Sequence, residues 1–173
     1  MAEVLPVIDL ARHGETAWSL SGQHTGRTDL PLTESGERNA RALGARLRGL
    51  AFAKTFISVE WDYGRYEGRR TAEILEERPD WQLFRDGCRG GESPAEIGAD
   101  RVLGRVRAVH GDVLLFSSEH FLRVLAARWL GLEPVGGCQF PLSTAGLCML
   151  GYEHNLAEPA IRLWNDTHHL ERP

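Results

Sequence analysis

The sequence predicts an α/β fold, a sheet with helices packed on both faces. Three observations carry that expectation. Short continuous apolar runs, VLPVIDLA, AKTFIS and DVLLFS, have the length and β-branched content of buried strands. Between them lie segments whose apolar residues recur at helical spacing. The first and third runs end in polar residues, Arg12-His13 and Ser117-Ser118, as strands do when their carboxyl ends carry a ligand site. The 173 residues suit one domain with a sizeable core, and no repeat, low-complexity tract or long linker divides residues 1–173.

The elements follow in order. VLPVIDLA feeds directly into Arg12 and His13. Residues 19–32 are polar and contain glycine, and read as a loop. Thr33 is placed to cap a helix along which Ala40, Leu43, Leu47 and Leu50 recur. AKTFIS is a second strand. Residues 59–92 read as irregular, rich in aromatics, Gly and charge, and long loops of this kind usually shape a pocket. Ser93-Pro94-Ala95-Glu96 has the form of a helix start: Ser caps, Pro occupies the first turn and Glu96 closes a capping box. In the helix expected there, Val102, Leu103, Val106 and Val109 share one face. Ile97, five residues before Val102, lies about 140° off that face at ~100° per residue. DVLLFS is the third strand, HFLRVLAARWLGL an amphipathic helix, and AGLCMLGYE and AIRLWN the late strands.

Composition excludes several functions. A net charge of −4 gives no electrostatic footprint for nucleic acid. No apolar run is long enough to span a bilayer, and MAEVLPVIDL lacks the basic start and cleavage site of a signal peptide. Cys88, Cys138 and Cys148 are odd in number and lack metal-ligand spacing, which fits thiols in a reducing cytoplasm. A cytoplasmic protein with no metal, no cofactor, no membrane and no nucleic-acid partner is expected.

Arg12 and His13 point to phosphate chemistry. A neutral imidazole is a competent nucleophile toward phosphorus, and a covalent phosphohistidine divides one hard hydrolysis into two easier steps. The guanidinium beside it offers a planar fork of donors to phosphate oxygens. An isolated RHG is equally a satisfied histidine beside a salt-bridged arginine. The longer stretch ARHGETAWSLSGQHTGRTDLPLTESGERNARALGARL goes further. It resembles the opening of the histidine phosphatase superfamily, of phosphoglycerate-mutase-like fold. The similarity resumes at EWDYGRYEG and WQLFRDGCRGGESP, in the manner of the sedoheptulose-1,7-bisphosphatase type of sugar phosphatase, and again from Asp112 to about Asn165.

The resemblance implies a three-layer doubly wound sheet and a phosphoric monoester hydrolase acting on a small phosphorylated substrate, a sugar phosphate, without a cofactor. It implies that His13 is the nucleophile, that Arg12 clamps the phosphate and that Glu60 protonates the leaving oxygen. Gln23, Thr25, Gly26 and Arg27, from the loop GQHTGRTD, and Ser118 become substrate-contact candidates. Arg123, in the helix after Ser118, either faces the pocket or, the favoured reading, is an exposed helix arginine. His120 either serves the phosphate site or, again favoured, is a helix-entry histidine pointing elsewhere.

Three departures stand against a fully active member. Where the family places a second histidine followed by glycine, this chain has Ser118 and Glu119. After AKTFIS, Ser58 is followed at once by Val59 and Glu60, without the helix, clamping arginine and strand that relatives carry there. The phase error at Ile97 would shrink to about 20° with two more residues, which relatives carry near GADRV. Turnover is therefore expected far below that of intact relatives. The departures fit either a family member that has lost catalysis or an enzyme whose sequence as given lacks segments. A pseudophosphatase that binds a phosphorylated ligand and a phosphoglycerate mutase are the alternative functions.

Overall fold

The computed structural model describes residues 5–58 and 60–170. Val4, the first residue of the expected leading strand, and Val59 at the suspected break lie outside them. Five strands form one sheet: β1 (Ile8–Arg12), β2 (Lys54–Ile57), β3 (Val113–Ser117), β4 (Leu147–Tyr152) and β5 (Pro159–Asp166), in the order β2-β3-β1-β4-β5. β1, β2 and β3 run parallel, β4 pairs antiparallel with β1, and β5 pairs antiparallel with β4 and so runs in the direction of β1. Register places Arg12 opposite Ser117, so the two parallel strands end side by side.

Alternation along the strands divides the core into two faces. Ile8, Leu10, Val113, Leu115, Cys148 and Leu150 point into the larger cluster, which α5 (Ala99–Arg107) and α6 (Glu119–Trp129) cover with Leu103, Val106, Phe121, Leu122 and Leu125. Ala11, Leu114 and Leu147 point the other way, against Leu43 of α2 (Glu34–Arg46). The three layers expected from sequence are present, with unequal cover. At the edge strand β2, Phe56 packs on the larger cluster, but Thr55 and Ile57 face the α2 side and are exposed, Ile57 to 84%. No helix covers that corner among the described residues. The chain passes there from Ser58 toward Glu60, the junction at which relatives were expected to carry another helix and strand.

Several expected elements move. The N-cap at Thr33 forms, its hydroxyl accepting from Gly36 N at 2.9 Å, but α2 ends at Arg46, so Leu50 leaves the helical stripe and is half exposed. Residues 19–32 are not wholly loop. Thr16 and Ser19 form a reciprocal capping box that starts α1 (Ala17–Ser21), and Gly22 at φ 76° ends it. The stretch 60–92 is likewise ordered, with a 3₁₀ turn at Gly64–Tyr66, α3 (Thr71–Glu77) and α4 (Leu83–Asp86). These helices are too short for periodicity to reveal them.

Only half of the expected box forms: Glu96 Oε2 accepts from Ser93 N and Oγ at 2.8 and 2.7 Å, but Glu96 N donates to Ser93 O at 3.0 Å and not to the Ser93 hydroxyl, and the segment closes only a turn. Gly98 at φ 76° breaks the chain, and α5 starts at Ala99. Ile97 is buried all the same, because it reaches the core from outside the helix. The phase error is thus a helix break at Gly98. Among the described residues no helix is long and apolar enough to cross a membrane.

Candidate active site

His13 follows the last residue of β1 and is held by backbone on both sides. Its N–H donates to Ser117 O at 3.2 Å, and its carbonyl accepts from Ala145 N at 2.9 Å. Ala145 makes that bond from φ 54°, a left-handed conformation costly for a residue with a Cβ, so the fold holds local strain beside His13. The turn beyond His13 packs backbone to backbone against the start of α2. A Cβ on Gly14 would collide with Gly36 O, and one on Gly36 with Glu15 O.

The imidazole is oriented by its neighbour. Nδ1 lies 2.7 Å from Gly14 O, and a carbonyl can only accept, so Nδ1 carries the proton. Nε2 is left with its lone pair free, toward a cleft of about 210 Å³ that His13 lines. Burial lowers the His13 pKa and keeps the ring neutral, the nucleophilic form.

Arg12 and Glu60 line the same cleft. Arg12 is buried, its Nη1 donating to Leu142 O and lying 2.7 Å from Glu119 Oε2. Its Nε is enclosed and without a partner among the described residues. Glu60 is buried beneath the start of α6. Oε1 accepts from Trp61 N and Phe121 N, both at 2.8 Å, and Oε2 from His120 N at 3.0 Å. Those bonds favour the carboxylate, but burial outweighs them and raises the pKa to about 7. A carboxyl poised there can give a proton and take it back near neutrality.

The other candidates divide. Gln23 and Thr25 line the cleft. Gln23 is also tied into the fold, with Nε2 donating to Gly68 O at 2.7 Å and Oε1 accepting from Ser21 Oγ at 2.6 Å. Gly26 and Arg27 are not among the lining residues. The reason is Glu67, whose carboxylate accepts the N–H groups of Gly26, Arg27 and Thr28 at 3.0–3.1 Å, so the donors of that loop are occupied from behind. The Arg27 guanidinium is 80% exposed and pairs with Asp62 at 2.7 Å. Ser118 stands beside His13 at the end of β3, but as the N-cap position of α6 it does not line the cleft.

Glu119 takes the inner place instead. Its carboxylate bridges Arg12 at 2.7 Å and Arg123 at 2.8 Å. Arg123 is thus turned toward this network, with Nε also donating to Gly137 O at 3.0 Å. His120 lines the cleft and is not directed away from it. Sequence reasoning missed Thr16, Ser19, His24, Tyr63 and Thr71 in the wall. His24 lay in the quoted loop and Tyr63 beside the acid motif, but nothing in either stretch says which side chain turns inward.

The family model described as "Histidine phosphatase superfamily (branch 1)" matches residues 8–59 and 59–167, two segments that meet at the suspected break. An acid phosphatase of Mycobacterium tuberculosis is 36% identical, with 88% of this chain and 89% of the relative covered. Its alignment runs over 182 positions, more than the whole of this chain, so that relative carries residues with no counterpart here. A sedoheptulose 1,7-bisphosphatase of Saccharomyces cerevisiae is 31% identical over 94% of both chains. The solved structure of an open reading frame of Mycobacterium tuberculosis superposes with a TM-score of 0.87 at 32% identity, over 92% of this chain and 97% of that one.

Proposed function

The chain belongs to the histidine phosphatase superfamily, branch 1, and from that premise we propose that it is a slow phosphomonoester hydrolase of small sugar phosphates in the cytoplasm. The observation that carries the reading is the orientation of His13, with Nδ1–H spent on Gly14 O and Nε2 free in a cleft shared with Arg12 and Glu60. In the first step Nε2 attacks phosphorus, a P–N bond forms and the P–O bond to the substrate breaks. The carboxyl proton of Glu60 passes to the leaving oxygen as it takes the electron pair. In the second step the Glu60 carboxylate takes a proton from water, and the hydroxide so formed displaces His13 and releases inorganic phosphate. Arg12 neutralises charge on the phosphoryl oxygens throughout. Gln23 and Thr25 are the proposed contacts to the rest of the substrate.

Turnover is slow because Glu119 competes with the phosphoryl group for Arg12, and Ser118 supplies at most a neutral donor at the end of β3. The same ion pairs favour a second reading, a protein that binds a phosphorylated ligand without hydrolysing it. Rapid mixing with para-nitrophenyl phosphate followed by mass analysis of His13 separates the two. An acid-labile phosphoryl group on His13, lost in His13→Ala together with release of nitrophenol, is the expected outcome. Binding of inorganic phosphate without phosphorylation of His13 would establish the second reading instead.

A further inference from the structure

We propose that His120 contacts the organic part of the ligand in the same cleft, its Nε2–H donating to a hydroxyl oxygen of a polyol phosphate, and that Tyr63 is the positioning residue that fixes this donor. The inference rests on the reading of the cleft as a phosphate-ester site, and it names the side chain that recognises what the phosphate is attached to.

The argument begins with one buried hydroxyl. Tyr63 is 1% exposed, and its Oη lies 2.6 Å from His120 Nδ1. That nitrogen is the sole hydrogen-bond partner of the hydroxyl among the described residues, so the hydroxyl proton is paired only if Tyr63 donates and Nδ1 accepts. The imidazole proton is thereby placed on Nε2. Burial supports this assignment twice, raising the Tyr63 pKa well above its ordinary value and lowering that of His120 well below. Both groups are thus neutral, a phenol donor and an imidazole with one proton.

Nε2–H has no partner among the described residues. Among the described residues, the fully enclosed side-chain nitrogens and oxygens that lack one are Arg12 Nε and His169 Nδ1, so His120 Nε2 is not sealed in the core. It opens to the cleft that His120 lines. The ring is held edge-on against Phe84 and Tyr63, with centroids at 5.4 and 6.0 Å, and lies 5.8 Å from the ring of His24. Its backbone N–H is bound to Glu60 Oε2 at 3.0 Å, which ties His120 to the proposed acid and so to the leaving-group side.

The wall around it suits hydroxyls better than a second anion. Gln23, His24, Thr25 and Thr71 are neutral donors and acceptors, and among the described residues Arg12 is the one arginine or lysine that lines the cleft. A neutral N–H donor in this setting discriminates for a ligand hydroxyl, because without one the donor loses its bond to water and gains nothing.

The test compares ribose 5-phosphate with inorganic phosphate, using calorimetric Kd values, so it does not depend on turnover. The unaltered protein should bind the sugar phosphate more tightly than phosphate. His120→Ala should weaken ribose 5-phosphate by about tenfold, the effect of one hydrogen bond, and leave phosphate within about twofold. His120→Gln, whose amide N–H reaches the place of Nε2–H, should restore most of the loss. Tyr63→Phe should weaken the sugar phosphate selectively, and ¹⁵N spectra of His120 should change from a single Nε2–H tautomer to a mixture. Equal weakening of both ligands, no weakening by His120→Ala, or an Nδ1–H tautomer in the unaltered protein would each overturn the proposal. Failure of the unaltered protein to bind either ligand would overturn both this proposal and the phosphatase reading. Normal binding without phosphorylation of His13 would overturn the phosphatase reading alone.

Discussion

At the residue scale, Glu119 decides how much of the anion site is free. Its carboxylate lies 2.7 Å from Arg12 and 2.8 Å from Arg123, on side chains that are largely buried, so the charges are weakly screened. An incoming phosphoryl group must displace it. Glu119→Ala should tighten inorganic phosphate by about ten- to a hundredfold, since a charge-assisted hydrogen bond is worth ~1.5–3 kcal/mol. Calorimetry at two salt concentrations checks this, and unchanged affinity would show that Glu119 and phosphate do not share Arg12. Glu60 makes a second prediction. Its native pKa of about 7 lies above the ordinary 4.5, so between those values the folded state binds more protons than the unfolded one. Its contribution to stability is therefore full below pH 4.5 and is lost as pH rises through 7, a span of about 3 kcal/mol. The difference between the unaltered protein and Glu60→Gln carries the test. His13, His24 and His120, whose pKa values burial lowers, slope the other way below 6.5. Denaturant unfolding from pH 4.5 to 8 should show the stability difference shifting against the unaltered protein as pH rises. A constant difference would mean that Glu60 titrates as an ordinary carboxyl.

At the element scale, the segment from Ser93 to Arg107 shows how local signals compete. The Ser93–Glu96 contacts are those of a helix N-terminus, yet the helix does not propagate through Gly98. Gly98 at φ 76° places Ile97 in the core from outside α5 and lets Leu103 and Val106 face the sheet. Gly98→Ala should destabilise the fold by about 1–2 kcal/mol, the cost of a left-handed conformation with a Cβ. That corresponds to a Tm lower by roughly 2–8 °C in a chain of this size. The added Cβ would meet only the tip of Arg101, which can move, so the loss measures backbone conformation. An unchanged or higher Tm would show that the helix tolerates continuation through residue 98.

At the scale of the whole molecule, the unequal cover of the sheet matters most. The face of α5 and α6 is closed, while the α2 face is open at β2, with Ile57 exposed on an edge whose outer side pairs with no strand among the described residues. The family match divides at residue 59, next to this edge. An exposed apolar edge strand is a template for association. Ile57→Lys should reduce light scattering in concentrated solution while moving Tm by no more than about 1 °C, since surface changes are usually within ±0.5 kcal/mol. Unchanged scattering would show that the edge does not drive association.

The order and type of the main elements were legible in the residues, because strand runs and the long helices carry their period in consecutive positions. So was the pairing of Arg12 and His13 at a strand end, since a motif at fixed spacing needs no tertiary information. Which polar residues meet depends instead on how separate elements pack. Glu60 and His120 are far apart in the chain and are joined by a backbone N–H to carboxylate bond that no spacing encodes. Gly26 and Arg27 belong to a loop of suitable composition, yet Glu67 occupies its donors from another segment. Ser118 and Glu119 are neighbours, and the start of α6 leaves the first at the cap and turns the second into the cleft. Sequence spacing fixes the direction of a side chain within one element, whereas the partner it meets depends on how separate elements pack.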